Sequence, residues 1–297
     1  MRGGQVKYPV WQWTRILQPA IAGMLLWGCA AHSPTTPHPI SAPGTGLLSG
    51  VEGHVSDVLQ QALTGDPAAR RMYGQWLAET GETEKARTVL TPAAEKGDIR
   101  AQYQLGLVLA GRNSPETWCA AVDWMTRAAT GGLPVARRTL GDWLTEGVII
   151  SPDPVAALGW YQKAAEQGDA RAQNATGAAL SAGRGVPRNL SEALVWYRKA
   201  AEQGNALAAF NLGNVYWTGS GTRANAGVAF AWYALAENNA ALDEGTLHRV
   251  AQKMKKRASL LAARRGRLPA AVALAEQYIR HYGRQAGPVP SSTDITE

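Results

Sequence analysis

Apolar and small residues fall on one helical face and then return at a nearly constant interval. Candidate helix endings stand at Gly97, Gly132, Gly168 and Gly204, with Ala240 in the fifth place, at intervals of 35, 36, 36 and 36 residues. Each follows a short alanine-bearing segment. Eight residues before the last four endings lie Trp124, Trp160, Trp196 and Trp232, and three further back Ala121, Ala157, Ala193 and Ala229. This spacing predicts one helix per repeat, with the Trp positions on its alanine-bearing, core-facing side. A second helix follows from Leu105-Gly106, Leu140-Gly141, Thr176-Gly177 and Leu212-Gly213, where Ala101, Ala136, Ala172 and Ala208 stand five residues before each glycine. Small residues at these places let neighbouring helices approach closely.

The junctions carry their own chemistry. In Gly97-Asp98, Gly168-Asp169 and Gly204-Asn205 a residue suited to left-handed backbone is followed at once by an N-capping side chain. One helix stops and the next begins. At the fifth junction Asn238 and Asn239 are expected to supply the left-handed residue. A looser first copy contains Ala69, Gly74, Ala86, Leu90 and Ala94, and its 32-residue offset from Gly74 to Gly106 is off period, as terminal repeats often are. Thr246–Gly266 and Leu268–Gly283 read as two further helices that would cap an open end. The segment nearest a perfect copy, WYQKAAEQG at 160–168, recurs as WYRKAAEQG at 196–204. Duplication at that distance points to stacked architecture before it points to catalysis.

Together these positions resemble the Sel-one-like repeat (SLR) family, relatives of the tetratricopeptide repeat. The resemblance rests on Ala172-x-x-x-x-Gly177, the loop Gly183-Arg184-Gly185-Val186 and the run from Ala193 to Gly204, and extends over about residues 64 to 240. Departures are Val89 where Trp is expected, Met125 after Trp124, Thr176 for Leu and Ala240 for Gly. The resemblance implies an all-α fold: a right-handed α-solenoid of antiparallel helix pairs with C-terminal capping helices. In tetratricopeptide-like helices the concave positions lie three before and one after the glycine. Here these are Arg71, Tyr103, Arg138, Asn174 and Phe210, then Gln75, Leu107, Asp142, Ala178 and Asn214. They mix aromatic, basic and amide groups, which suits an extended peptide or another protein.

The N-terminus adds an address. Arg2, Lys7 and Arg15 precede a short apolar run broken by Pro19 and ending at Cys29, the pattern of a secretion signal. The run falls short of the roughly 20 residues needed to span a bilayer. Leu26-Trp27-Gly28-Cys29 resembles the lipobox of bacterial lipoproteins, which implies that Cys29 is lipidated and becomes the first mature residue. With Ala30 rather than Asp next, family sorting rules imply the periplasmic face of the outer membrane in a Gram-negative host. An ordinary signal peptide with Cys29 incidental is the other reading. The resulting domain plan is a leader at 1–28, a Pro- and Ser-rich tether at 29–55, repeats at 56–240, capping helices at 241–283 and a tail at 284–297.

The 297-residue chain has only two cysteines, so lipidation of Cys29 leaves Cys119 alone, expected as a small buried helix residue. Removing the three positive charges of the leader from the net +7 leaves +4, a mild bias. Part of it comes from Lys253, Lys255, Lys256 and Arg257 in the cap, read either as a solvated face or as a polyanion site for an acidic glycan or peptidoglycan. His32, His38, His54, His248 and His281 are scattered, without metal-ligand spacing. No phosphate loop or nucleophile elbow occurs, and Asp153 before Pro154 reads as a helix cap. No cofactor, metal, catalytic residue or nucleic-acid partner is expected. The function expected is a non-catalytic, lipid-anchored scaffold that binds an envelope protein or peptide. Some SLR or tetratricopeptide-like lipoproteins serve exopolysaccharide export, including that of alginate, and the likeness extends to anchor and array.

Overall fold

A computed structural model describes residues 65–111, 114–240 and 245–283. The leader, Cys29, the tether, the tail and His32, His38 and His54 lie outside the described residues. Among the described residues the regular structure consists of twelve helices. They are α1 (Pro67–Glu79), α2 (Thr83–Glu95), α3 (Ile99–Ala110), α4 (Pro115–Thr130), α5 (Pro134–Glu146), α6 (Pro154–Glu166), α7 (Ala170–Ala182), α8 (Leu190–Glu202), α9 (Ala206–Thr218), α10 (Ala226–Asn239), α11 (Gly245–Arg264) and α12 (Leu268–Tyr282). Each of α1 to α10 packs chiefly on its immediate neighbours in sequence, which is the contact pattern of an α-solenoid of antiparallel helix pairs.

Each hairpin closes on a single interlock. A Cβ added to Gly141 would stand 2.7 Å from the Tyr161 ring, one on Gly177 would stand 2.8 Å from Tyr197, and one on Gly213 would stand 2.4 Å from Tyr233. The ring therefore lies directly on glycine backbone. The two earlier hairpins keep the geometry with aliphatic groups, since Met125 is packed on Gly106 and Leu90 on Gly74. Burial of a side chain of this kind contributes on the order of 2–3 kcal/mol. The tyrosine hydroxyls also have partners: Tyr161 donates to Asp142 at 2.9 Å, Tyr233 donates to Asn214 at 2.9 Å, and Tyr197 pairs with Ser181 at 3.0 Å. Burial pushes all three phenols above their ordinary value and keeps them protonated.

The tryptophans behave differently from expectation. Trp232 is buried at 3 % exposure, whereas Trp124, Trp160 and Trp196 are only half-buried. A cation three residues on covers each half-buried indole: Arg127 at 4.6 Å, Lys163 at 4.5 Å and Lys199 at 4.4 Å from the ring centroid. Position 235 is Leu, and there Tyr278 of α12 lies 4.4 Å from the Trp232 ring instead. The cap helix does for the last repeat what Arg or Lys does for the others.

Successive repeats are sewn together at the helix ends. Gly97, Gly132, Gly168 and Gly204 all adopt positive φ, between 86° and 98°, so chain reversal takes place in one residue. Asp98, Asp169 and Asn205 then cap α3, α7 and α9 through their side chains, and Asp153 caps α6. Carbonyls of the previous helix's last turn, which already accept a backbone N–H, gain a second donor from side chains eight residues on. Gln102 donates to the Ala94 carbonyl at 3.0 Å, Arg137 to Ala129 at 2.9 Å and Gln173 to Ala165 at 3.1 Å. The fifth junction corrects the sequence reading. Asn238 and Asn239 are the last helical residues of α10 rather than left-handed, Ala240 is extended, and Asn239 donates to the carbonyls of Gly204 and Tyr282, locking α10 to the neighbouring repeat and to α12.

Helices α11 and α12 both pack on α10 and scarcely on each other. Ala251, Ala258, Ala262, Ala271 and Ala275 are their buried positions. At the other end, Val89 stands where later repeats carry tryptophan, and an apolar cavity of about 320 Å³ opens beside it between Tyr73, Leu77 and Thr88.

The interlock predicts the result of filling the glycine. Gly177→Ala and Gly213→Ala should each destabilise the chain by about 1–3 kcal/mol, read as a lower midpoint in urea denaturation followed by circular dichroism. Unchanged midpoints would show that the rings are free to move away.

Candidate functional site

The glycine-plus-one and glycine-minus-three rows lie along α1, α3, α5, α7 and α9, one helix from each repeat. Much of this face is engaged within the protein. Arg71 of α1 is ion-paired with Asp98, the N-cap of α3. Arg138 of α5 reaches Asp169, the N-cap of α7, at 3.4 Å and Asp142 on its own helix at 3.2 Å. Both guanidiniums are half-buried, so these pairs couple one repeat to the next as well as capping a helix. Asn174 is 8 % exposed and accepts from Asn211 at 3.0 Å, which places it in the seam between α7 and α9 rather than on open surface. Phe210 is half-buried with its ring 5.6 Å from that of Tyr233.

Other members of the two rows remain open. Gln75 is exposed and bonded to Glu79 at 2.9 Å and to Gln104 at 3.3 Å. Leu107 is 39 % exposed, and Tyr103 is half-buried against the first apolar cluster. Asp142 and Asn214 are half-buried, and each accepts a tyrosine hydroxyl. The face thus presents a polar seam with an aromatic and aliphatic opening at Tyr103 and Leu107. Position-by-position reading missed the seam because its partners lie 27 to 37 residues apart. The signal available was the return of Asp at the caps, Asp98 and Asp169, beside Arg in the facing row.

Two expectations are corrected. Cys119 is exposed on α4, because it stands two residues before buried Ala121 and so points away from the packed face. The four cap residues do not form one patch. Lys255 is half-buried and ion-paired with Glu237 of α10, while Lys253, Lys256 and Arg257 are exposed. Gly185 supports the reading of its loop as a turn, since a Cβ there would meet the Pro154 carbonyl oxygen at 2.3 Å. Among the described residues no group of His, Cys, Asp and Glu could hold a metal ion, and no helix is long and apolar enough to cross a membrane.

Stacked hairpins with one interlock each, and a face that varies from repeat to repeat, define a helical repeat protein. A family model described as the Sel1 repeat matches residues 99–133, 134–169, 170–205 and 206–239. A Sel1 repeat protein from Oxalobacter formigenes is 30% identical, with a TM-score of 0.56, over 67% of this chain and 87% of that one. The chain belongs to the Sel1 repeat family. A protective antigen present in uropathogenic Escherichia coli strains, displaying an SLR fold, is 28% identical with a TM-score of 0.63 over 77% of this chain. The match spans about half, 49%, of that antigen's length. Among curated proteins none matches. Sel1 repeat proteins generally serve as protein–protein interaction scaffolds.

The seam carries a pH signature. Burial raises the Asp142 carboxyl above the usual carboxylate range, against the opposing effect of the Tyr161 hydroxyl and the Arg138 charge. The folded chain holds this proton more tightly than the unfolded one, so the contribution is complete at low pH and is lost as pH rises through the folded pKa. Asp142→Asn keeps an acceptor for Tyr161, as Asn214 is for Tyr233. The variant's urea midpoint should gain on the parent's as pH rises from about 4, and a difference independent of pH would contradict this assignment.

Proposed function

We propose that this chain is a non-catalytic, lipid-anchored scaffold that gathers proteins at the bacterial cell envelope, with Cys29 as the lipid attachment point. Two acyl chains of a diacylglycerol anchor hold a protein on a membrane stably, whereas one holds it marginally. The observation that carries the scaffold reading is the division of labour within each repeat. Ala, Gly and Tyr positions are used for stacking, while the facing rows differ at every repeat and leave Tyr103, Leu107 and Gln75 accessible. A partner protein or extended peptide lying on α1, α3 and α5 would meet an aromatic and aliphatic opening at Tyr103 and Leu107, bordered by the Arg71–Asp98 and Arg138–Asp169 pairs of the seam. The periplasmic face of the outer membrane is the proposed address, and an exopolysaccharide export or secretion assembly of the alginate kind is the proposed setting.

Exposed Lys253, Lys256 and Arg257 favour a second reading, in which the basic cap binds an acidic glycan or peptidoglycan. That reading loses Lys255, whose charge is satisfied by Glu237. It predicts retention on such polymers that weakens steeply with salt.

The scaffold reading is tested in cells expressing the full chain. Cys29→Ser should abolish labelling by a fatty-acid analogue and move the chain from the membrane to the soluble fraction. A photo-crosslinking residue at Leu107 should trap a discrete envelope protein, while one at exposed Val195 on α8 should not. Equal adducts from both positions, or none from Leu107, would remove the proposed face.

A further inference from the structure

A cavity of about 450 Å³ opens between the turn before α10 and the turn joining α11 to α12, lined by Arg223, Ala224, Asn225, Arg265 and Arg267. Three arginines from segments some forty residues apart thus line one space, and no carboxylate lines it. All three are exposed, and among the described residues none is ion-paired. The surroundings offer little compensation. Between Gly245 and Ala275 there is no acidic residue, while eight are Arg or Lys. Like charges gathered without a counter-charge repel one another, and an oxyanion bound among them reverses the sign of that term. Guanidinium forks suit carboxylates because two parallel N–H donors match two oxygens.

The surface leading away from the cavity narrows the class of ligand. Lys253, Lys256, Arg257, Leu260 and Arg264 fall within one stripe of α11, at spacings of three and four residues. The three residues Lys253, Lys256 and Arg257 are exposed, and so is Arg264. Leu260 is 60 % exposed in the middle of the stripe. A carboxylated sugar polymer offers that isobutyl group little, whereas a peptide with an apolar residue beside its acidic ones has a match for every member.

We infer that Arg223, Arg265 and Arg267 form a carboxylate-binding site for an acidic peptide segment of a partner protein, whose apolar side chain rests on Leu260 of the α11 stripe. This assignment rests on the scaffold reading but uses the C-terminal end of the array instead of the α1–α9 face. Failure here therefore leaves the Leu107 adducts untouched, and their failure leaves this site standing.

The test is fluorescence anisotropy on the full chain with a labelled peptide carrying acidic pairs on either side of a leucine. Its counterpart with Asn and Gln in place of Asp and Glu, polygalacturonate and inorganic phosphate serve as the other probes. The acidic peptide should bind and its amide counterpart should not. Combined Arg223→Ser, Arg265→Ser and Arg267→Ser should weaken binding about tenfold or more, with an unchanged circular dichroism spectrum. Leu260→Ser should weaken it about threefold or more. No binding of the acidic peptide, or binding indifferent to the triple substitution, would overturn the site. Tighter retention of polygalacturonate that ignores Leu260→Ser would give the surface to a glycan, and phosphate binding without peptide binding would reduce it to a free-anion site.

Discussion

Everything in this fold depends on how closely two helices of a hairpin can approach. The approach is set where an aromatic ring or a flexible aliphatic group lies on a glycine, at Gly141 with Tyr161, Gly177 with Tyr197 and Gly213 with Tyr233. Any side chain on the glycine would have to occupy space already filled by the ring, and interiors packed to crystal density have nowhere to move it. Because the ring is that of a tyrosine, its hydroxyl must also be satisfied, and Asp142, Ser181 and Asn214 do this from the same helix that supplies the glycine. The interlock therefore fixes both the spacing and the register of each hairpin.

Once that register is fixed, the repeat-to-repeat step follows from the helix ends. Left-handed glycines reverse the chain, capping carboxylates start the next helix, and two of those carboxylates are also bound by arginines from the preceding repeat. Asp98 and Asp169 thus act in two joints at once. The consequence for function is that a row defined only by its geometry relative to glycine contains both structural and free residues. Arg71, Arg138 and Asn174 belong largely to the seam, while Tyr103, Leu107 and Gln75 retain accessible surface.

The period of the chain made the helix pairs, the caps at Asp98, Asp169 and Asn205 and the close approach at the glycines legible, because each is a local pattern repeated at one interval, whereas the ring that rests on each glycine was not. Thr176 in place of leucine did not disturb this, since its buried hydroxyl is satisfied by donating to the Ala172 carbonyl at 2.9 Å. Less legible was the covering of the tryptophans. An indole with Arg127, Lys163 or Lys199 over its face is half-buried by a neighbour on its own helix, and apolar periodicity does not distinguish that from a core position. Cys119 shows the opposite error, a small residue assigned to the interior by type when its helical phase put it outside. The arginine cavity was invisible for a third reason: Arg223 reaches Arg265 and Arg267 only through the packing of α11 and α12 on α10.

The claim at the centre of this account is that glycine is required at these positions because a specific ring presses on it. A double-mutant cycle at Gly177 and Tyr197, built from Gly177→Ala, Tyr197→Ala and their combination and read by urea denaturation, measures that dependence directly. The account predicts a coupling energy of about 1 kcal/mol or more, with alanine at 177 tolerated once the ring is gone. Additive effects, agreeing within about 0.3–0.5 kcal/mol, would contradict it and place the need for glycine elsewhere.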